Sequence, residues 1–160
     1  MIVVVNTSPL ILLAKIGRLD LLALLYNQVV IPQAVWAELR EKQGPETEQI
    51  EKLIQTGDLR QQKALPHHLS QVSSDLGRGE QEAIALAVQL QAALVILDDQ
   101  EGRRTARQKS LAVTGTIGVL IEAREKGLLT SIRRELDRLI EAGMWLDELF
   151  YHRILQEFGE

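Results

Sequence analysis

A chain of 160 residues is long enough for one domain with a sizeable core, and its composition, rich in Leu, Ala, Ile and Val and poor in aromatics, is that of an ordinary globular protein. The formal charge of −4 argues against nucleic-acid binding through bulk positive charge, although a local basic track remains compatible with it. With no cysteine there can be no disulfide, no zinc–thiolate site and no thiol nucleophile, which fits a cytoplasmic protein.

The opening residues are apolar, but Lys15, Arg18 and Asp20 interrupt them and no basic segment precedes them, so no signal sequence is expected. No stretch reaches the roughly 18 uninterrupted apolar residues of a membrane helix. Val3 to Val5 reads as a buried strand, continuous and β-branched, that stops at Asn6-Thr7-Ser8-Pro9. Helices are expected over residues 10–15 and 19–25, with Gly17 between them, followed by the short strand "QVVIP". Helix resumes through "QAVWAELREK", with Val35, Trp36 and Leu39 facing inward. Residues 46–55 read as an exposed helix ended by Gly57-Asp58, and 59–75 as a loop with one short strand. "GEQEAIALAVQLQA" is strongly amphipathic, with Ala83, Ile84, Ala87 and Leu90 on one face. "ALVILDD" is the clearest buried strand, and it ends in two aspartates. A charged helix over 101–109, a strand "LAVTGT", a helix "IGVLIEAREKG" and two further helices, 131–142 and 146–156, complete the chain. No repeat or linker divides it, so a single domain over 1–160 is expected, with 131–160 as a helical extension.

Strands alternating with helices predict an α/β fold with a mainly parallel sheet. Ligands of such sheets gather beyond the carboxyl ends of the strands, where Asn6, Asp98, Asp99, Thr114 and Thr116 all fall. Each acid has a bland reading. Asp98 and Asp99 can cap the helix that follows them, Glu80 can favour a helix start, and Glu38 can be the wet side of an amphipathic helix. Together, Glu38, Glu80, Asp98 and Asp99 would repel strongly at one sheet edge unless a cation lay between them. Oxygen ligands without Cys or His suit Mg²⁺ or Mn²⁺, which can activate water against a phosphodiester.

The segments "VVVNTSPLILLAKIGRLDLL", "IPQAVWAEL", "LGRGEQEAIALA", "LVILDDQEGRRTA" and "VTGTIGVLIEAREKGLL", in that order, resemble the PIN-domain family, and most closely a branch of small prokaryotic PIN-like proteins. The family comprises metal-dependent ribonucleases and includes many toxin components of toxin–antitoxin pairs. The resemblance covers about residues 2–130 and implies a three-layer α/β/α fold. It puts Asn6 where most members have the first metal-binding aspartate. It matches Glu38, Glu80 and Asp99 to the remaining acids, with Asp98 as an additional ligand, and Thr116, with Thr114 beside it, to the polar position after the next strand. These residues would hold one or two Mg²⁺ or Mn²⁺ ions and cut single-stranded RNA hydrolytically. An amide at position 6 brings no charge, so metal affinity should be lower than with aspartate. Homodimers, and inhibition by a small antitoxin protein filling the acidic groove, are further expectations from the resemblance.

Arg103, Arg104, Arg107 and Lys109 form a basic helix face just behind the two aspartates, either contacting RNA phosphates or pairing with nearby acids on a solvated surface. His67-His68 reads as plain surface, and Trp36 and Trp145 as core or interface. No P-loop pattern is present, "LGRGEQ" lacks the context of a dinucleotide site, and Asn6 removes the nucleophile of a phospho-aspartate enzyme. The competing reading is a PIN-like scaffold that binds RNA or a partner without catalysis. Asn6 supports it; the gathered carboxylates oppose it.

Overall fold

Short β-branched runs separated by amphipathic helices assemble into a wholly parallel five-stranded sheet in the computed structural model, which describes residues 1–160. The strands are β1 (Ile2–Val5), β2 (Gln28–Pro32), β3 (Leu59–Gln62), β4 (Leu94–Ile96) and β5 (Val113–Thr114), in the order β3-β2-β1-β4-β5. Every neighbouring pair is parallel, with Val3 opposite Val29 on one side of β1 and opposite Leu94 on the other.

Strand pleating divides the apolar residues between two cores. Val3, Val5, Val29, Ile31 and Ile96 point into the larger one, and Val4, Val30, Val95 and Leu97 into the smaller. The larger core lies under α1 (Thr7–Lys15), α2 (Asp20–Leu25), α3 (Gln33–Lys42), α4 (Pro45–Thr56), α8 (Thr116–Glu125), α9 (Ile132–Glu141) and α10 (Glu148–Glu157). The smaller is covered by α5 (Pro66–Leu69), α6 (Arg78–Gln89) and α7 (Gln100–Gln108). Helices on both faces make the three layers expected of a parallel sheet, which must be covered on each side. The division also follows from handedness. Crossovers that build the sheet toward β3 lie on one face, and those that return to β4 and β5 lie on the other.

Several elements differ from their sequence-based reading. α1 begins at Thr7, because Asn6 is extended and Pro9 needs no hydrogen-bonded N–H in the first turn. β4 and β5 are shorter than their apolar runs, so Leu97, Asp98 and Asp99 lie beyond the last strand pairing. Residues 59–75 contain β3 and the short α5. α4 is anchored rather than free, since Ile50 is fully buried in the larger core. α9 and α10 also pack on that core through Leu136, Leu139, Ile154 and Leu155, leaving Trp145, Leu149 and Phe150 exposed. Trp36 is buried. No helix is long and apolar enough to cross a membrane.

Candidate active site

Strand order decides where a site can form. From β1 the chain builds outward to β2 and β3, then returns to the opposite side of β1 as β4. The segment leaving β1 enters α1 on the larger core, whereas the segment leaving β4 enters α7 on the smaller one. Two connections that diverge to opposite faces open a crevice at the strands' carboxyl ends. A cleft of about 1050 Å³ lies there, and Asn6, Glu38, Glu80, Glu82 and Asp98 are among the residues lining it.

Asn6 follows β1 directly, and its backbone N–H donates to the Ile96 carbonyl at 3.1 Å, locking it beside β4. Its side chain is buried and its Oδ1 has no hydrogen-bond partner. Glu38 reaches the same region from α3, where its Oε2 accepts from the Thr7 hydroxyl at 3.1 Å and Lys42 Nζ stands 3.7 Å from its Oε1. The close approach of α6 depends on Gly79. A Cβ there would lie 3.2 Å from Asn6 Oδ1 and 3.5 Å from Glu38 Oε2, so these two oxygens flank one point.

Asp98 is gripped at the start of α8. Its Oδ1 accepts the Thr116 N–H at 2.7 Å, and its Oδ2 accepts the Thr116 hydroxyl at 2.6 Å and the Ser8 hydroxyl at 3.3 Å. Thr116 is fully buried and acts by fixing that carboxylate. A helix N-terminus suits a carboxylate because its free N–H groups carry partial positive charge. Gly115 makes the approach possible, since a Cβ there would stand 2.7 Å from Asp98 Oδ1. The Thr114 hydroxyl instead packs against Gly118 of α8.

Asp99 lies beside Glu80, since a Cβ on Gly102 would stand 3.4 Å from Asp99 Oδ2 and 3.5 Å from Glu80 Cγ. It is exposed, lies outside the cleft lining, and caps α7 by accepting the Gly102 N–H at 2.8 Å. Of the two aspartates, then, Asp98 is the one that faces the cleft. Glu80 lines the cleft, but its carboxylate folds back over Gly77 at the start of α6. The acid that goes deepest from α6 is Glu82, which is buried and has an Oε1 with no hydrogen-bond partner. Sequence reasoning passed over it, although a signal was present. Gly79, Glu82, Ala83 and Leu86 occupy one helical face, and a glutamate on an otherwise apolar face is anomalous.

The basic face of α7 is partly engaged with the protein itself. Arg103 donates to the Leu97 carbonyl at 3.1 Å; burial and the neighbouring Arg107 lower its pKa, with Asp98 opposing them. Arg104 pairs with Glu101, while Arg107 is exposed. His67 and His68 pack edge to face on α5 and are not among the residues lining the cleft.

No three His, Asp or Glu side chains approach closely enough to enclose a metal ion by themselves. The donor set nevertheless fits a hard divalent cation. Two buried oxygens of the cleft residues, Asn6 Oδ1 and Glu82 Oε1, lack a donor, and a buried acceptor left alone costs about 1–3 kcal/mol. Mg²⁺ is held typically by one or two carboxylates and keeps several waters, so an open site of this kind suffices.

A family model described as PIN domain matches residues 2–160, the two C-terminal helices included. Among solved structures, the crystal structure of VapBC2 from Rickettsia felis bound to a DNA fragment from their promoter contains a similar chain. The likeness covers 72% of this chain and 98% of that one, with 16% sequence identity and a TM-score of 0.52. At that identity it bears on the fold alone. No curated protein matches the sequence significantly.

Proposed function

The chain belongs to the PIN-domain family, and on that premise we propose that it is a divalent-metal-dependent endoribonuclease of single-stranded RNA, the toxin of a toxin–antitoxin pair. PIN domains are generally nucleases that use divalent ions. The observation that carries the reading is the convergence of Asn6, Glu38, Glu82 and Asp98 on one cleft, with two buried oxygens that find no donor within the protein. These four residues would hold Mg²⁺ or Mn²⁺, with Glu80 at the rim. When bound, the ion supplies charge neutralisation at the phosphodiester and an activated water.

The chain's own residues do the rest. Thr116 and Ser8 fix the Asp98 carboxylate, and Thr7 and Lys42 fix that of Glu38, so little reorganisation is needed when substrate arrives. Gly79 keeps the space between Asn6 and Glu38 free of side chain. A small antitoxin protein would block the same cleft, and the exposed Trp145, Leu149 and Phe150 offer an apolar surface for a second copy of the chain.

Two observations favour a second reading, a catalytically weak scaffold. The side chain after β1 is neutral, and no three acids close a metal site. Incubation of the protein with labelled single-stranded RNA in Mg²⁺, Mn²⁺ or EDTA separates the two. Metal-dependent cleavage that is lost in Asp98→Asn and Glu82→Gln supports the nuclease. RNA binding without cleavage in either metal leaves the scaffold.

A further inference from the structure

The cleft is not uniformly acidic. Its lining also includes Lys63, just past the end of β3, and Arg78, the first residue of α6. Both are exposed and neither takes part in an ion pair, whereas Lys42, the third cation of the lining, is held by Glu38. The cleft therefore carries two uncommitted cations alongside Glu38, Glu82 and Asp98. Neither is paired with those acids at close range, so both side chains remain available to a bound anion.

We propose that Lys63 and Arg78 are the phosphate-contacting residues that lead single-stranded RNA into the site, and that the strand runs along the carboxyl edge of the sheet from β3 toward β4. The proposal rests on the nuclease reading and gives that site its substrate path. Geometry supports the direction. β3 and β4 are three strand spacings apart, about 14 Å, and a stacked nucleotide occupies about 3.4 Å, so the edge accommodates several phosphates. The alternative track on α7 is poorer, because none of Arg103, Arg104, Arg107 and Lys109 lines the cleft, and Arg103 and Arg104 are engaged with the Leu97 carbonyl and Glu101.

The test is the salt dependence of binding of a labelled oligoribonucleotide, with Ca²⁺ replacing Mg²⁺ to suppress cleavage. It compares the wild type, Lys63→Gln/Arg78→Gln, and a charge-matched control, Lys52→Gln/Arg153→Gln, on exposed positions outside the cleft. Each phosphate contact to a single strand contributes about 0.7 to the slope of log affinity against log salt, so the cleft variant should lose about 1.4 and bind about 25-fold more weakly at 0.1 M salt. The control should keep the wild-type slope, and the cleft variant should keep the wild-type rise in melting temperature on adding Mg²⁺. A wild type that binds RNA together with a cleft variant of unchanged slope overturns this path while leaving the nuclease reading in place; the two cations would then serve another partner, such as an acidic protein segment. A wild type that binds no RNA overturns both.

Discussion

Asn6→Asp tests the centre of the site with almost no change of shape. The side chain is buried, and its Oδ1 shares with Glu38 Oε2 the space beside Gly79, at 3.2 and 3.5 Å from the same point. Two unit charges separated by at most roughly 7 Å at an effective dielectric of about 20 repel by about 2 kcal/mol. In EDTA the variant should therefore be less stable by about that amount, with a melting temperature about 4–8 °C lower for a chain of this size. Protonation caps the loss, since each pKa unit is worth about 1.4 kcal/mol, so the deficit should shrink as pH falls. With Mg²⁺ or Mn²⁺ the sign reverses. The same 2 kcal/mol acting as attraction tightens binding by about tenfold or more, and cleavage at limiting metal should rise. The assay is a pair of thermal melts, in EDTA and across a metal titration, followed by cleavage at subsaturating metal. Curves that cross support the site. A variant that melts with the wild type in EDTA and binds metal no better would show that Asn6 does not face the carboxylates, and the site would be misassembled at its first residue.

Gly115→Ala should cut metal-dependent cleavage at least tenfold, because its Cβ would lie 2.7 Å from Asp98 Oδ1, and should cost about 1–3 kcal/mol of stability from overpacking; a fully active variant would remove Asp98 from the reaction. Arg104→Gln/Arg107→Gln should flatten the salt dependence of RNA binding less than Lys63→Gln/Arg78→Gln does, and the same titrations decide it. Acid stability should depend on Glu160, which ties the end of the chain to α9 by accepting from Ile132 N–H and the Ser131 hydroxyl, each at 2.8 Å. Burial alone would raise its pKa, but the hydrogen bonds from Ile132, Ser131, Arg133 and Arg124 outweigh it and hold the folded value below the usual one. Its contribution is therefore present above the unfolded carboxyl pKa of about 4.3 and lost as pH falls through the folded value. Melts between neutral and acid pH should show Glu160→Gln with a lower plateau and a flatter acid limb; parallel curves would contradict this.

The sequence by itself determined the fold class and the end of the sheet at which a candidate site was to be sought. Apolar runs such as "IVVV" and "LVIL", short, β-branched and bounded by polar residues, read as strands covered on both faces, and in a parallel sheet the residues that follow them emerge at the carboxyl edge. It also carried enough of the PIN pattern to identify the family. Local pattern reaches no further than the element on which a residue sits. Which aspartate of Asp98-Asp99 turns to the cleft depends on where β4 stops pairing and α7 begins. There, one carboxylate is taken by the Gly102 N–H and the other by Thr116, eighteen residues away in sequence. That Glu82 is the buried acid of α6, and Glu80 only partly so, depends on the roll of the helix, whose close approach Gly79 permits by its lack of a side chain. Pairing of Arg104 with Glu101, three residues away on α7, was open to a sequence reading, whereas the hydrogen bond from Arg103 to the Leu97 carbonyl was not, because it depends on how the chain turns between β4 and α7. Lys63 and Arg78, fifteen positions apart in a stretch that reads mostly as loop, become neighbours of the site only when the return crossover from β3 to β4 folds over the sheet edge. Strand and helix periodicity are properties of consecutive residues and can be read from them. The direction of a carboxylate is set by whichever donor another segment brings within reach, and only the tertiary structure supplies that segment.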